Sequence, residues 1–214
     1  MNRILRRPID RRAACRAGLL ALAGSLPGCG LLPEVSKPVE LYTLTPKTSY
    51  PETLESVDWQ LVVELPVAAT SLDTPRIALQ RSPFTLEYYA NVAWTDNAPL
   101  MVQTLMIESF EGSRAITSVG REGIGLRPDY VLKTDLREFE AIYFEEGSPN
   151  PVVWVRISAK VVQMPERRII SSATFERREA AAGTKLPDII GAFDIALGTV
   201  LKKIVIFTLG APSA

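Results

Sequence analysis

Apolar and polar positions along this chain repeat with two different periods, and each period keeps to its own segments. Trp59, Leu61, Val63 and Leu65 share one face of the segment WQLVVEL, the period of a strand, and Pro66 ends it. Arg76 to Leu79 and the aromatic, β-former-rich Phe84 to Trp94 add two further strands. Asp129 to Phe144 predicts a long strand, with Tyr130, Leu132 and Leu136 alternating against Lys133, Asp135 and Arg137. After Glu138 the apolar phase passes to Phe139, Ala141 and Tyr143, the shift that a bulge or bend produces. Val152 to Met164 places Val153, Val155, Ile157, Ala159 and Val161 on one side and Trp154, Arg156, Ser158 and Lys160 on the other. Pro165-Glu166-Arg167 turns the chain, and Ile169 to Arg178 returns beside it. The last three strands therefore read as an antiparallel meander.

Two segments switch to the helical period. Asp96-Asn97-Ala98-Pro99 starts the first, because proline suits a first helical turn, where its missing N–H is not needed. Leu100 to Phe110 follows, and Gly112 is the expected stop. The second helix runs from about Pro187 to Phe207, with Ile189, Phe193, Ala196, Leu197, Val200 and Ile204 on one face. Ile190, Ile195, Leu201, Val205 and Ile206 widen its apolar stripe enough to suit a membrane-active helix. Asp188, Asp194, Lys202 and Lys203 interrupt the run and favour a helix packed on a sheet. One-faced strands and amphipathic helices predict an α+β fold: two layers, a mostly antiparallel sheet, and two amphipathic helices packed on one face. One domain, 59–214, is expected.

The first thirty residues follow neither period. Arg3, Arg6, Arg7, Arg11, Arg12 and Arg16 face only Asp10, and the uncharged run AGLLALAGSL follows. A basic segment before ten apolar residues reads as a signal peptide, residues 1–28, too short for a permanent span. Arg11-Arg12 raises the twin-arginine route, but Asp10 and Ala13-Ala14-Cys15 complete that motif poorly and the general secretory route is preferred. Leu26-Pro27-Gly28-Cys29 resembles the bacterial lipobox, with Leu three positions before Cys and a small residue just before it. That resemblance implies diacylglycerol and acyl chains on Cys29, which becomes the mature N-terminus. Pro27 departs from the usual pattern. Gly30 rather than Asp after Cys29 implies, by enterobacterial sorting, the outer membrane rather than the inner. Residues 29–58, with Pro33, Pro38, Pro46 and Pro51, read as a lipidated, extended tether containing one short strand, Val39 to Leu44.

Composition changes this picture in two places. The 214 residues hold 24 Lys+Arg and 24 Asp+Glu. Removal of residues 1–28 takes six Arg and one Asp, leaving 18 basic and 23 acidic groups, a net charge of −5. The apparent neutrality mixes a basic leader with an acidic domain, and neither calls for nucleic acid. There is no His, which excludes imidazole-based triads and His-ligated zinc, and two Cys cannot build a four-cysteine metal site. Cofactors are expected to be none beyond the lipid on Cys29. No phosphate loop is present: Arg121-Glu122-Gly123-Ile124-Gly125 lacks the third glycine. Glu138, Glu140, Glu145 and Glu146 cluster and could hide a hydrolytic carboxylate pair, although a solvated strand edge is the plainer reading. Ser109 and Ser158 lack an imidazole to activate them. Tyr88, Tyr89 and Trp94 are either strand packing or an anchor for a partner protein.

The order of these features is similar to one family: the ABC-type transport auxiliary lipoproteins that accompany mammalian-cell-entry (MCE) domain transporters, including the paraquat-inducible lipoprotein C type. The lipobox at Cys29 is followed by Leu41-Tyr42-Thr43-Leu44, then Pro66 to Ile77 with Leu72 and Arg76. Tyr88-Tyr89, Trp94-Thr95-Asp96 and Pro99-Leu100 come next, then Pro128 to Leu132, Phe139-Glu140-Ala141 and Ala192-Phe193. The resemblance implies a non-catalytic outer-membrane lipoprotein facing the periplasm. Its partners would be an MCE-domain protein and an ABC permease and ATPase that move lipids or hydrophobic solutes between membranes. Self-association into a homo-oligomer is left open. Two rivals from other classes remain: a lipid-anchored periplasmic enzyme, and an outer-membrane assembly factor.

Overall fold

The computed structural model describes residues 38–123, 127–144, 147 and 149–211. Residues 1–28, read above as a signal peptide, and Cys29, Glu145 and Glu146 lie outside them.

Tyr130–Ile142 (β7) is the strand about which the domain is arranged. One edge pairs antiparallel with Val152–Gln163 (β8) along almost its whole length. The other edge is shared end to end by three short parallel partners. Val57–Val63 (β2) takes Tyr130 to Leu132, Val67–Ala68 (β3) takes Asp135 and Leu136, and Arg76–Ser82 (β4) takes Glu140 to Ile142. Ile116–Arg121 (β6) lies beyond β2 in parallel. Thr85–Trp94 (β5) lies antiparallel beyond β4, and Glu40–Tyr42 (β1) parallel beyond β5. Arg168–Ala180 (β9) closes the far edge against β8.

The fold is α+β as expected. Its longest pairings, β7/β8, β8/β9 and β4/β5, are antiparallel, and the meander forms. The shorter parallel pairs join distant parts of the chain and make the sheet mixed. Leu136 and Glu138 oppose Ile157 and Arg156, so Arg137 is the extra residue of a bulge, where the sequence phase shifts.

Helices Ala98–Ser113 (α1) and Leu186–Gly210 (α2) share one core with the inner sheet face. Val153, Val155, Ile157, Ala159 and Val161 of β8 meet Ile189, Phe193, Leu197, Val200 and Ile204 of α2, all buried. Each of these side chains except Ala159 contributes about 1.5–3 kcal/mol by leaving water. Ile195 and Ile206, which widened the stripe, remain exposed on the helix's outer side. Among the described residues, no helix is long and apolar enough to cross a membrane.

Four expectations need correction. Residues 38–58, read as part of a tether, belong to the compact unit that begins at Pro38. Leu44 is buried, and the segment after it is strapped to both helices. Thr45 bonds Asp194 of α2, while the Lys47 N–H donates to Ser109 Oγ of α1 at 2.9 Å. The Tyr50 hydroxyl donates to the Ser109 carbonyl at 2.9 Å. Prolines gave this segment its tether-like composition, but side chains from helices far along the chain satisfy its polar groups. Second, Gly112 is not the stop of α1. The helix ends at Ser113 and is capped by Arg114, whose φ of 56° is left-handed. A Cβ on Gly112 would lie 3.2 Å from the Lys47 carbonyl oxygen, so the glycine lets the strap approach. Third, Leu65 leaves the core face, since β2 ends at Val63 and Leu65 is exposed. Fourth, β6 and β3 went unpredicted: ITSVGR has weak alternation, and two residues carry no period.

Candidate functional site: the open face of the sheet

The helices cover one sheet face. On the other, the register sets Val62, Val131, Val162 and Ile169 in a row across β2, β7, β8 and β9. The three valines form an apolar cluster separate from the main core, with Met164 packed beside them. Single apolar residues on an outer face are ordinary, but four in one row across four strands make a continuous strip.

This strip is the floor of a cleft of about 470 Å³. Glu64, Lys133, Arg121, Glu122 and Arg167 line it beside the apolar floor. Lys133 Nζ donates to Glu64 Oε2 at 2.7 Å, an exposed pair worth only about 0.2–1 kcal/mol. Arg121 donates to Thr104 Oγ1 of α1 and is thereby fixed at the cleft's edge. Arg167 projects from the β8–β9 turn at φ 56°. A concave apolar floor with a charged rim suits an apolar or amphiphilic contact from a partner. Sequence reasoning missed it, because its floor residues read as the wet or neutral side of their strands. The signal was Val62, Val131 and Val162, each apolar on a face otherwise polar.

At the other end of the same face lie Glu138 and Glu140, two of the four carboxylates that cluster in the sequence. Arg156 donates to Glu138, and its guanidinium lies 5.0 Å from the Trp154 ring; Arg178 lies 4.2 Å over that ring. Glu140 is 2% exposed, and its Oε1 has no hydrogen-bond partner. Burial, then the charge of Glu138, pushes its carboxyl up to about 7, while Arg156 opposes. Neither carboxylate lines the cleft. With so little of Glu140 exposed, a substrate cannot touch its carboxyl without displacing strand neighbours, so the pair is poorly built for hydrolysis. Among the described residues, no group of three or more Cys, Asp or Glu could hold a metal ion.

The three aromatics diverge. Trp94 is 1% exposed, with Phe139 and Phe193 at ring-centroid distances of 5.5 and 5.2 Å. As a partner anchor it is corrected to a core residue, since a ring so enclosed has no surface to offer. Tyr88 and Tyr89 are half-buried and, as neighbours in a strand, point to opposite faces. Tyr88 carries the Arg76 guanidinium 3.7 Å above its ring and donates to the Ser71 carbonyl. Tyr89 shares a 2.8 Å hydrogen bond with Tyr143, and burial followed by that bond pushes its phenol pKa upward.

This architecture recurs in solved structures. Protein XCC0632 from Xanthomonas campestris is 30% identical, with a TM-score of 0.76 over 81% of this chain and 96% of that one. A second structure, described only as an uncharacterized protein, is 11% identical with a TM-score of 0.63 over 79% and 97% and shares the fold alone. No curated protein matches the chain. These likenesses define the class, an α+β fold with a mixed sheet and two helices. Within it, the chain belongs to the ABC-type transport auxiliary lipoprotein component family, whose pattern matches residues 42–205.

Proposed function

We propose that the mature chain is a non-catalytic accessory subunit of an MCE-type ABC transport system. It is acylated at Cys29, held on the periplasmic face of the outer membrane, and takes part in moving lipids or hydrophobic solutes between membranes. The observation that carries this reading is the family match through almost the whole described domain. The lipobox residues at Cys29 and the absence of a phosphate loop from the sequence are consistent with it: an ATPase partner would supply the energy. The open-face cleft is the surface we assign to partner contact, since its floor is apolar and its rim carries both signs of charge. Tyr88 is a secondary candidate, exposed enough to be touched.

The test is site-specific photo-crosslinking in cells from positions 133 and 167 at the cleft rim. Recovery of the MCE-domain protein is expected. Crosslinks that capture no component of the transport system from either position would remove the cleft from the reading. A membrane pull-down that also finds none would remove the MCE partnership.

A further inference from the structure

The chain enters the domain with a fixed heading. β1 runs parallel to β5, with Glu40 beside Val92, Leu41 beside Ala93 and Tyr42 beside Trp94. At Glu40 the chain is therefore travelling away from the β4–β5 hairpin tip, and Val39 is on the tip side of it. At that tip Phe84 is 98% exposed, the most exposed large apolar side chain among the described residues. Phe144, 37% exposed, lies just past the end of β7, where the Tyr143 N–H donates to the Gln80 carbonyl of β4. Behind these sit the hydrogen-bonded phenols of Tyr89 and Tyr143, and Arg81, whose guanidinium lies 4.9 Å from the Tyr143 ring and 3.5 Å from Glu87. Apolar rings in front, with phenols and a guanidinium behind, is the order of side chains that suits a bilayer interface.

Reach decides between the two ends of the sheet. Glu40 pairs with Val92, next to Ala93, which pairs with Arg76 of β4, six residues from Ser82 at the tip, or about 20 Å at ~3.3 Å per residue. Ten residue steps separate Cys29 from Val39, giving an extended reach of about 33–36 Å. An anchor at Cys29 thus reaches just past Phe84. The opposite end, the β8–β9 turn at Arg167, lies about 40 Å away along the sheet, and the chain would have to reverse before Glu40 to go there.

The geometry points to the β4–β5 hairpin tip, led by Phe84, as the surface that seats this domain on the bilayer holding its anchor, with the open-face cleft at the end directed away from that membrane. This rests on the reading of Cys29 as the lipidated residue.

The test uses the full mature chain, acylated at Cys29, in phosphatidylethanolamine/phosphatidylglycerol vesicles. No other cysteine follows Cys29, so Ser82→Cys or Glu166→Cys each takes a single polarity-sensitive fluorophore. Brominated lipids are expected to quench the label at 82 at least threefold more than that at 166. Adding Phe84→Ser is expected to remove most of that difference while flotation with vesicles stays unchanged. Equal quenching, stronger quenching at 166, quenching at neither position, or indifference to Phe84→Ser overturns the proposal. Flotation of the unlabelled chain against Cys29→Ala separates the two readings. If the acylated chain floats and the label at 82 stays dark to the lipid, only the seating fails. If Cys29→Ala floats equally well, the anchor reading fails and the seating falls with it.

Discussion

Thr45 donates both its backbone N–H, at 2.7 Å, and its hydroxyl, at 2.9 Å, to one carboxylate oxygen, Asp194 Oδ1, 149 residues further along the chain. This contact fastens the N-terminal strap to α2. Asp194→Ala should lower stability by about 1 kcal/mol, the scale of solvated charge-assisted bonds. Amide exchange at Thr45 and Lys47 should accelerate far more than exchange in β7 or β8. Uniform acceleration would mean the strap is not a separate unit.

Trp94 makes the second case, because it tests core against surface directly. Its ring touches Phe139 of β7 and Phe193 of α2, whose own centroids are 5.1 Å apart. Trp94→Ala should cost about 3–5 kcal/mol in urea unfolding, the range for a large aromatic removed from a core. A loss under about 1 kcal/mol, with partner binding abolished, would restore Trp94 as an interface anchor.

Glu140 gives the fold a pH dependence of unusual sign. Its folded carboxyl is raised to about 7 from an ordinary value of 4.5. Between those values the folded state holds a proton that the unfolded state has released. Stability is therefore fullest below pH 4.5, as far as this group is concerned, and falls as pH rises toward 7. The loss amounts to at most a few kcal/mol. Glu140→Gln, which keeps a donor toward Glu138, should flatten this slope and raise the melting temperature at pH 8. A steeper slope in the variant would contradict the assignment.

At the cleft, Arg167→Glu reverses a rim charge on an exposed turn. Stability should change by no more than about 0.5 kcal/mol, as at other surface positions. Capture of the transport partner should fall severalfold, and more at low salt than at high salt. Unchanged capture at both salt concentrations would leave the rim out of the interface.

Cys29→Ala should leave the circular dichroism and melting temperature of the domain unaltered while the protein leaves the membrane fraction. Fractionation of washed membranes decides it. Retention of the variant would contradict the lipobox reading.

Much of the fold was legible because its period was local. The β8 face from Val153 to Val161 and the α2 face from Ile189 to Ile204 are buried as their spacing predicted, and even the bulge beside Arg137 showed as a phase shift. What was not legible depended on distant partners. Nothing in the composition around Thr45 announces Asp194, so a packed strap looked like tether. Val62, Val131 and Val162 meet only through register, so the cleft floor was invisible strand by strand. Trp94 carried two readings because aromatic content alone does not tell a core ring from an anchor. The carboxylates at 138 and 140 were noticed from sequence, but the burial of Glu140 needed the strands on either side.

The sharing of β7 by β8 on one edge and by β2, β3 and β4 on the other has a consequence for how the domain comes apart. With both edges occupied over most of its length, β7 can lose its hydrogen bonds only when the ladders on both sides dissolve. Edge strands such as β1 and β9 can fray alone, whereas the middle of the sheet opens as one cooperative unit. Under load the domain can thus yield at its margins while its centre stays closed.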